Sequence, residues 1–288
     1  MDEYLLKQMH TEAKTIFRES LRPVNPYGAV KNFVRVKNDQ LILGKDGEKQ
    51  TTLDLKQFDR VSLVGGGKAT APMAKAMEAL LGERIRTGMI NVKYGFTEKL
   101  GVTRIVEASH PLPDENGVKG TAAIMNFLAK ANDKDLIISL ISGGGSALLC
   151  QPAQGITLKE KQTLTGMLLD CGASIDEINA VRKHISAAKG GQMARAAFPA
   201  TVVNLMLSDV VEDKMDVIAS GPFVPDSSTF EDALGIFKKY ELKDVPESIV
   251  RRLEEGVAGQ IPDTPKEGDP VFLYVSNIIV GSNILALE

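Results

Sequence analysis

Residues 135–149 read DLIISLISGGGSALL, an apolar run that ends in three glycines and continues into a second apolar segment. The same order occurs earlier in the chain, where residues 60–81 read RVSLVGGGKATAPMAKAMEALL. In each case the short apolar run predicts a strand that is buried on both faces, and the longer segment after the glycines predicts a helix. Junctions of this kind are typical of parallel sheets that are covered by helices.

The rest of the chain repeats this alternation of apolar runs and helical patterns. Further short apolar runs occur at residues 103–108 (TRIVEA) and 200–209 (ATVVNLMLSD), and segments with helical spacing lie between them. Strands that alternate with helices form parallel sheets, because each connection between neighbouring strands crosses the sheet as a helix. We therefore predict an α/β fold with a mostly parallel, doubly wound sheet and helices on both faces.

We predict three segments along the chain. Residues 1–55 hold an amphipathic helix and an alternating β-ribbon, and residues 56–260 hold the α/β domain. Residues 261–288 contain a last apolar strand, after which NILALE (283–288) begins a helical pattern. That pattern is shorter than the roughly 8–20 residues of most globular helices. We interpret residues 261–288 as a hinge and the start of a truncated second domain.

Composition excludes several classes of protein. The 288 residues carry a formal net charge of −3 without a basic stripe, so nucleic acid is not an expected partner. No stretch approaches the roughly 18 consecutive apolar residues of a membrane span. The first residues lack the basic start and apolar block of a secretory signal. The two cysteines, Cys150 and Cys171, form no CxxC pair, and we expect a cytoplasmic protein.

The two glycine-rich junctions are the strongest functional signal in the sequence. Glycine lets a ligand approach the backbone, and the first amides of a helix are unpaired and carry partial positive charge. At the carboxyl ends of parallel strands, two such junctions can hold two parts of a polyphosphate, or a phosphate and a carboxylate. The alternative is that the glycines only allow close packing. The predicted cofactor-binding residues are Gly65, Gly66, Gly67, Ser142, Gly143, Gly144, Gly145 and Ser146.

Neither junction matches a known nucleotide fingerprint. The P-loop requires a glycine where Ser62 stands and a hydroxyl residue where Ala69 stands. The dinucleotide pattern GxGxxG requires a final glycine, which Thr70 replaces in the first junction and Leu148 in the second. The sequence therefore disfavours both NAD binding and ordinary P-loop chemistry.

Three side chains are predicted to carry the chemistry. Lys68 follows the first glycine run, where an ammonium group can neutralise charge that develops on a transferred phosphoryl group. Asp209 ends the third apolar strand, where its carboxylate could hold a magnesium ion or accept a hydroxyl proton. Arg182 lies on the predicted helix 174–188, and its guanidinium fork matches a carboxylate or a phosphate.

Four further residues are predicted to contact the substrate. Asn179 shares a helix face with Arg182, and Lys183 is an alternative partner for the carboxylate of a substrate acid. His110 and Ser220 each lie in a proline-rich segment that could line a pocket. The structural alternatives are a solvated helix face and two rigid loops.

Five motifs in order resemble those of the bacterial and animal glycerate 2-kinases, some of which are called hydroxypyruvate reductases. The motifs are GGGKA at 65–69, SHPLPDENG at 109–117, SGGGSALL at 142–149, NAVRKHISAAKGG at 179–191 and SDVVEDKMDVIASGPFVPDSST at 208–229. The resemblance implies a Rossmann-like domain that uses ATP and Mg²⁺ to phosphorylate D-glycerate to 2-phosphoglycerate. Lys68 matches the lysine of that family's GGGKA motif. Members of the family continue into a second domain, so we expect this chain to be a truncated form.

The sequence leaves two alternatives to glycerate kinase activity. One is an NAD(P)H-dependent hydroxypyruvate reductase, which the missing GxGxxG pattern argues against. The other is an inactive fragment that retains affinity for a nucleotide. A pocket that lacks its second domain would expose apolar surface, so a homodimer could also form.

Overall fold

The computed structural model describes residues 3–21, 25–45, 47 and 49–282, so the helix start predicted at 283–288 lies outside the described residues. The α-helices are α1 (Glu3–Leu21), α2 (Pro26–Phe33), α3 (Thr70–Leu81), α4 (Glu115–Leu128), α5 (Gly145–Leu148), α6 (Leu158–Asp170), α7 (Ile175–His184), α8 (Gln192–Ala197), α9 (Phe230–Lys239) and α10 (Glu247–Val257). The β-strands are β1 (Val34–Lys37), β2 (Gln40–Leu43), β3 (Thr51–Asp54), β4 (Arg60–Gly66), β5 (Ile85–Lys93), β6 (Thr103–Ala108), β7 (Asp135–Ser142), β8 (Thr201–Leu207) and β9 (Val275–Gly281). Within these described ranges no helix combines the length and the apolar character needed to cross a membrane.

The main sheet has the strand order β6-β5-β4-β7-β8-β9, and every neighbouring pair is parallel. Numbered along the chain, these six strands run 3-2-1-4-5-6, which is the strand order of the Rossmann fold. The order reverses between β4 and β7, the two strands that precede the glycine-rich junctions. Ligands of such sheets bind outside the carboxyl ends of the strands at this reversal. The predicted α/β class is confirmed.

Each face of the main sheet is covered by its own hydrophobic core. Ile138 of β7 packs in one core together with Met73 of α3. Its neighbour Ile137 packs in a second core together with Ile124 of α4. Successive strand residues point to opposite faces, so one strand supplies both cores. The prediction of helices on both faces is therefore confirmed.

The amino-terminal ribbon and the last strand extend this framework. Strands β1, β2 and β3 form a separate antiparallel sheet, and Leu41 and Leu43 of β2 join the same core as Met73. Strand β9 pairs with β8 and is an outer strand of the main sheet, although we predict a boundary near residue 260. The domain boundaries themselves stay predictions.

Helices α6, α7, α9 and α10 pack on one another through a third core, which includes Leu164, Val181 and Ile249. Helix α7 ends at His184, whereas the sequence predicts a helix that continues to residue 188. Beyond this end the backbone is no longer helical, and Ser186 forms an isolated β-bridge with Pro152. This helical group carries polar side chains of α6 and α7 to the carboxyl edge of the main sheet, as described below.

Candidate active site

The two glycine-rich turns lie side by side, as adjacent parallel strands require. The amide of Lys68 donates a hydrogen bond to the carbonyl oxygen of Gly143 at 2.9 Å. The amide of Ala69 donates to the hydroxyl of Ser142 at 3.0 Å, and that hydroxyl is fully buried. Ser142, predicted to bind a cofactor, therefore links the two turns instead.

The first turn is closed by bonds to the protein itself. The amide of Gly67 donates to the carbonyl oxygen of Asn91 at 3.1 Å, and Gly65 and Gly66 are paired within the sheet. These glycines are needed for close approach, because a Cβ atom on Gly65 would lie 2.1 Å from the carbonyl oxygen of Leu140. The prediction that Gly65, Gly66 and Gly67 offer free amides to a ligand is wrong, since neighbouring strands already occupy that space.

The second turn keeps its amides available. Gly144 adopts φ +83°, a conformation that favours glycine, and the short helix α5 begins at Gly145. Within the described part of the chain, the amides of Gly144, Gly145 and Ser146 have no hydrogen-bond acceptor. Unpaired amides at such a position form a site for anionic oxygen atoms.

Two cavities meet at this second turn and share Gly144, Ser146 and Arg182 as lining residues. The smaller one has a volume of about 220 Å³, and we call it the cation cavity because Lys161, Arg182 and Lys189 line it. The larger one has a volume of about 500 Å³, and we call it the carboxylate cavity. Its acidic lining residues are Asp176, Asp209 and Glu212. Among the residues that the structure describes, no aspartate or glutamate lines the cation cavity.

Three of the predicted side chains surround the second turn. A Cβ atom placed on Gly144 would lie 3.0 Å from Nε2 of His110 and 3.2 Å from Cγ of Lys68. A Cβ atom placed on Gly143 would lie 2.1 Å from Oδ2 of Asp209. The fold therefore brings Lys68, His110 and Asp209 together at one glycine turn, although they follow three different strands.

His110 has a shifted pKa that bears on proton transfer at this turn. Burial lowers its pKa below the usual 6.5, and the positive charges of Lys68 and Lys93 lower it further. The carboxylate of Asp209 acts in the opposite direction without reversing the shift. The His110 imidazole is therefore neutral at pH 7 and can accept a proton.

A buried polar network holds Ser146 at the meeting point of the cavities. The hydroxyl of Ser220 donates to Oδ1 of Asn179 at 3.0 Å and lies 2.9 Å from the hydroxyl of Ser146. Ala219 and Ser220 both have positive φ angles, 52° and 61°, which cost about 1–3 kcal/mol each and persist where the surroundings enforce them. Ser220, predicted to bind substrate, lies behind the site and positions Ser146.

Asn179 retains one unsatisfied group that points to a ligand. Its side chain is 3% exposed and lines the carboxylate cavity. Its Nδ2 atom is buried and has no partner among the described residues. Buried donors are normally paired, so the free Nδ2 group keeps Asn179 a candidate for contact with a ligand.

Lys183 does not face either cavity. Its Nζ atom lies 3.1 Å from Oδ1 of Asp226 and 3.2 Å from Oδ2 of Asp216, and both Lys183 and Asp226 are buried. Burial raises the pKa of Asp226, but the charge of Lys183 and the hydrogen bonds from Ser228 together outweigh burial, so the pKa is lowered. The prediction that Lys183 holds the carboxylate of a substrate is wrong, because its charge is already neutralised inside the protein.

Arg182 lines both cavities, and two lysines that the sequence does not single out lie with it in the cation cavity. Arg182 is partly buried and has no hydrogen bond or ion pair within the described residues. Lys161 is 4% exposed, and its Nζ atom has no hydrogen-bond partner among the described residues. Lys189 is fully buried, and its Nζ atom donates to the carbonyl oxygen of Ser146 at 2.8 Å.

The cation cavity is costly to maintain without an anion. Burial lowers the pKa of Lys161, and nearby Arg182 lowers it further. Burial lowers the pKa of Lys189 well below its usual value, with Lys161 and Arg182 acting in the same direction. Burial lowers the pKa of Arg182 as well. Buried charges are normally paired, and clusters that break this rule occur at functional sites.

One signal in the sequence could have identified Lys161. Lys161, Leu164 and Leu168 recur at spacings of three and four on the buried face of α6, where an apolar residue is the norm. Lys189 carries no comparable signal, because it lies in the irregular segment after α7. Its burial follows from tertiary packing alone.

The residues present are compatible with one magnesium ion bound together with phosphate. Among the described residues no group of three or more His, Cys, Asp or Glu side chains could hold a metal ion alone. Asp209, however, is exposed at the second turn and has no hydrogen bond or ion pair there. Mg²⁺ is usually held by one or two carboxylates plus substrate phosphates, which this arrangement fits.

The Rossmann-like sheet, with open amides and a lysine at the point where its strand order reverses, defines an α/β domain whose geometry can accommodate an anion there. Residues 12–254 match the family model described as Domain of unknown function (DUF4147). A D-glycerate 2-kinase from Thermotoga maritima is 47% identical over 231 residues, covering 80% of this chain and 54% of the relative. The chain belongs to the DUF4147 family, which includes curated glycerate kinases, and the predicted resemblance is confirmed.

Other comparisons agree with this assignment. A glycerate 2-kinase from Pyrococcus horikoshii is 39% identical over 272 residues, 94% of this chain and 59% of the relative. A crystal structure of a protein from the same organism superposes with a TM-score of 0.85 at 38% identity, covering 96% of this chain and 61% of that one. A relative from Agrobacterium vitis, named putative hydroxypyruvate reductase, is 43% identical over 73% of this chain and 47% of its own length. The chain thus spans roughly half the length of the curated relatives that it matches.

Proposed function

We propose that this chain binds ATP and D-glycerate and transfers the γ-phosphate to the 2-hydroxyl group, which gives ADP and 2-phosphoglycerate. The observation that carries the proposal is that two cavities share the open turn at Gly144 and Ser146: one is lined by cations without carboxylates, and the other by three carboxylates together with Arg182 and Lys214. Relatives named glycerate 2-kinase support it. We place the reaction in the cytoplasm, where the free thiols of Cys150 and Cys171 stay reduced.

The phosphate groups of ATP are assigned to the second turn. The free amides of Gly144, Gly145 and Ser146 can donate to phosphate oxygens. The side chain of Lys68 lies against the same turn and supplies the positive charge that a transferred phosphoryl group requires. The first turn contributes by holding the backbone of Lys68 against Gly143.

Asp209 is assigned to the magnesium ion that accompanies ATP. Its free carboxylate lies over Gly143 at the edge of the carboxylate cavity, which Glu212 also lines. A bound Mg²⁺ would neutralise part of the charge on the phosphate oxygens. Because Asp209 lies against Gly143, directly before the free amides, Asp209 and the turn would hold one metal–phosphate unit.

His110 is assigned to the proton of the substrate hydroxyl. As the oxygen–phosphorus bond to the 2-hydroxyl oxygen forms, the bond from the γ-phosphorus to the leaving oxygen of ADP breaks. The hydroxyl proton passes to the neutral His110 imidazole, whose lowered pKa keeps it available. Positioning of the two substrates on either side of Gly144 provides most of the rate enhancement.

The test is product formation by this chain. Purified protein is incubated with ATP, Mg²⁺ and D-glycerate, and phosphorus NMR is used to detect 2-phosphoglycerate. We expect this product to form with the wild-type chain. If folded protein that binds both ligands leaves D-glycerate unphosphorylated, the proposed activity does not belong to this chain.

Two matched measurements address the alternatives on the same sample. Hydroxypyruvate with NADH, followed by absorbance, reports reductase activity, and we expect no NADH consumption because GxGxxG is absent. Calorimetric titration of ATP separates an inactive nucleotide-binding fragment, which binds without turnover, from an active enzyme. Homodimer formation stays a prediction, which sedimentation of the purified chain would test.

A further inference from the structure

The cation cavity has no role in binding the phosphates of ATP as assigned above. Its cations come from two different places: Lys161 from α6, and Arg182 and Lys189 from α7 and the segment after it. Lys183 on the same helix is neutralised by Asp226, whereas these three have no carboxylate partner among the described residues. The buried cation Lys183 thus forms a structural ion pair, whereas the three cations of the cation cavity have no carboxylate partner among the described residues.

The size of the cavity limits its ligand. Its volume of about 220 Å³ lies below the roughly 300–1,000 Å³ of pockets that take drug-sized molecules. A nucleotide is too large for it, but a three-carbon acid is not. Pro111, Leu112 and Ala147 give the cavity an apolar wall beside the cations, as a small molecule with a carbon skeleton requires.

The position of the cavity fixes the orientation of such a ligand. Gly144 and Ser146 form part of its wall, and the same residues carry the open amides of the phosphate turn. In a 2-hydroxy acid the reacting hydroxyl is on the carbon next to the carboxylate. If the carboxylate of the acid binds among the cations, the hydroxyl on the adjacent carbon lies beside the second turn and His110.

We propose that the cation cavity is the carboxylate subsite for the small hydroxy-acid and that Lys161 is the residue that determines specificity for an acid. This inference rests on the function proposed above. Lys189 is already bonded to Ser146, and Arg182 is shared with the carboxylate cavity, whereas the Nζ atom of Lys161 is buried with all its donors free. An arriving carboxylate would accept a charged hydrogen bond from Lys161 and relieve the repulsion among the three cations.

The experiment compares two substitutions on one helix. Lys161→Met removes the buried charge and keeps the length of the side chain, and Lys159→Met makes the same change at an exposed position of α6. D-glycerate and ATP are titrated separately into each protein by calorimetry, and D-glycerate is also titrated in the presence of a non-hydrolysable ATP analogue with Mg²⁺. We expect Lys161→Met to weaken D-glycerate binding about 10- to 100-fold. ATP affinity should be unchanged, and Lys159→Met should match the wild type.

Two results with the variants would overturn the inference. One is wild-type affinity of Lys161→Met for D-glycerate. The other is loss of ATP affinity with D-glycerate binding intact, which would show that the cation cavity takes phosphate. We expect Lys161→Met to melt no lower than the wild type, since an unpaired buried charge has been removed, and to lose the thermal stabilisation by D-glycerate.

A measurement on the wild-type protein does not depend on the folding of any variant. D-glycerate is compared with glyceramide, in which an uncharged amide replaces the carboxylate. We expect D-glycerate to bind and glyceramide to bind much more weakly, and equal affinities, or no binding of D-glycerate, would overturn the inference. These results concern binding alone, so they are distinguishable from failure of the proposed function, which would appear as bound substrates without product.

Discussion

The backbone amide of Lys68 donates a hydrogen bond to the carbonyl oxygen of Gly143 across 2.9 Å. This bond joins the first glycine turn, whose amides are occupied by the protein, to the second turn, whose amides are free. The side chain of Lys68 is thereby held against Gly144, although the two residues follow different strands. The first turn positions a lysine, and we propose that the second turn binds the anion.

Replacing Lys68 should therefore affect catalysis and leave the fold intact. Lys68→Ala keeps the amide that binds Gly143 and removes only the ammonium group. We expect kcat/KM for phosphate transfer to fall about 100- to 1,000-fold, as when one group that stabilises transition-state charge is removed. Lys75→Ala, an exposed position on α3, is the matched control. A rate within a few-fold of the wild type for Lys68→Ala, with an unchanged melting temperature, would remove Lys68 from the mechanism.

The two glycine turns should respond differently to the same substitution. A Cβ atom on Gly67 would lie 2.0 Å from Oγ of Ser142, between packed strands, so Gly67→Ala should lower the melting temperature. Gly144→Ala places a Cβ atom near His110 and Lys68 at the open edge, so it should reduce ATP affinity, with a strain of about 1–2 kcal/mol from its positive φ angle. Thermal melts and ATP titrations of both variants check this. Equal loss of ATP affinity in two stably folded variants would contradict the division of tasks.

Lys183 should be important for stability and not for substrate binding. Lys183→Met leaves the carboxylate of Asp226 buried without its ion-pair partner, which typically costs about 3–5 kcal/mol. Denaturant unfolding should show this loss, and Lys183→Met/Asp226→Asn should recover part of it. A Lys183→Met protein with wild-type stability and a raised KM for D-glycerate would instead support direct substrate contact.

The pH dependence of the rate should report His110. Burial, Lys68 and Lys93 lower its pKa below 6.5, and the neutral form is the proton acceptor, so kcat/KM should fall as pH decreases through that lowered pKa. Lys93→Gln removes one of the charges that lower the pKa, so the fall should move to higher pH. His110→Gln should abolish this limb of the profile. A profile that Lys93→Gln does not move would assign the limb to another group.

Much of the fold could be predicted because its signals are local. The apolar runs at residues 60–66 and 135–142 identify buried strands without knowledge of their neighbours, and glycines mark where those strands end. For the same reason the sequence identifies Lys68 and Asp209 as candidate site residues. Each follows directly from a strand end, and the carboxyl ends of parallel strands meet.

The availability of the backbone amides could not be predicted in this way. Both turns have three consecutive glycines, but the amide of Gly67 is occupied by Asn91, a residue on the next strand. Pairing of this kind depends on strand register and sheet order, which the glycine pattern does not contain. Lys183 and Lys161 illustrate the same limit, because whether a buried lysine meets an aspartate or an empty cavity is decided by distant segments.

The most direct test of the account is a crystal structure of this chain with a non-hydrolysable ATP analogue, Mg²⁺ and D-glycerate. The account predicts phosphate oxygens on the amides of Gly144, Gly145 and Ser146, with the D-glycerate carboxylate on Lys161 and the 2-hydroxyl between them. Phosphate groups bound away from residues 144–146, or a protein group found on those amides, would contradict it.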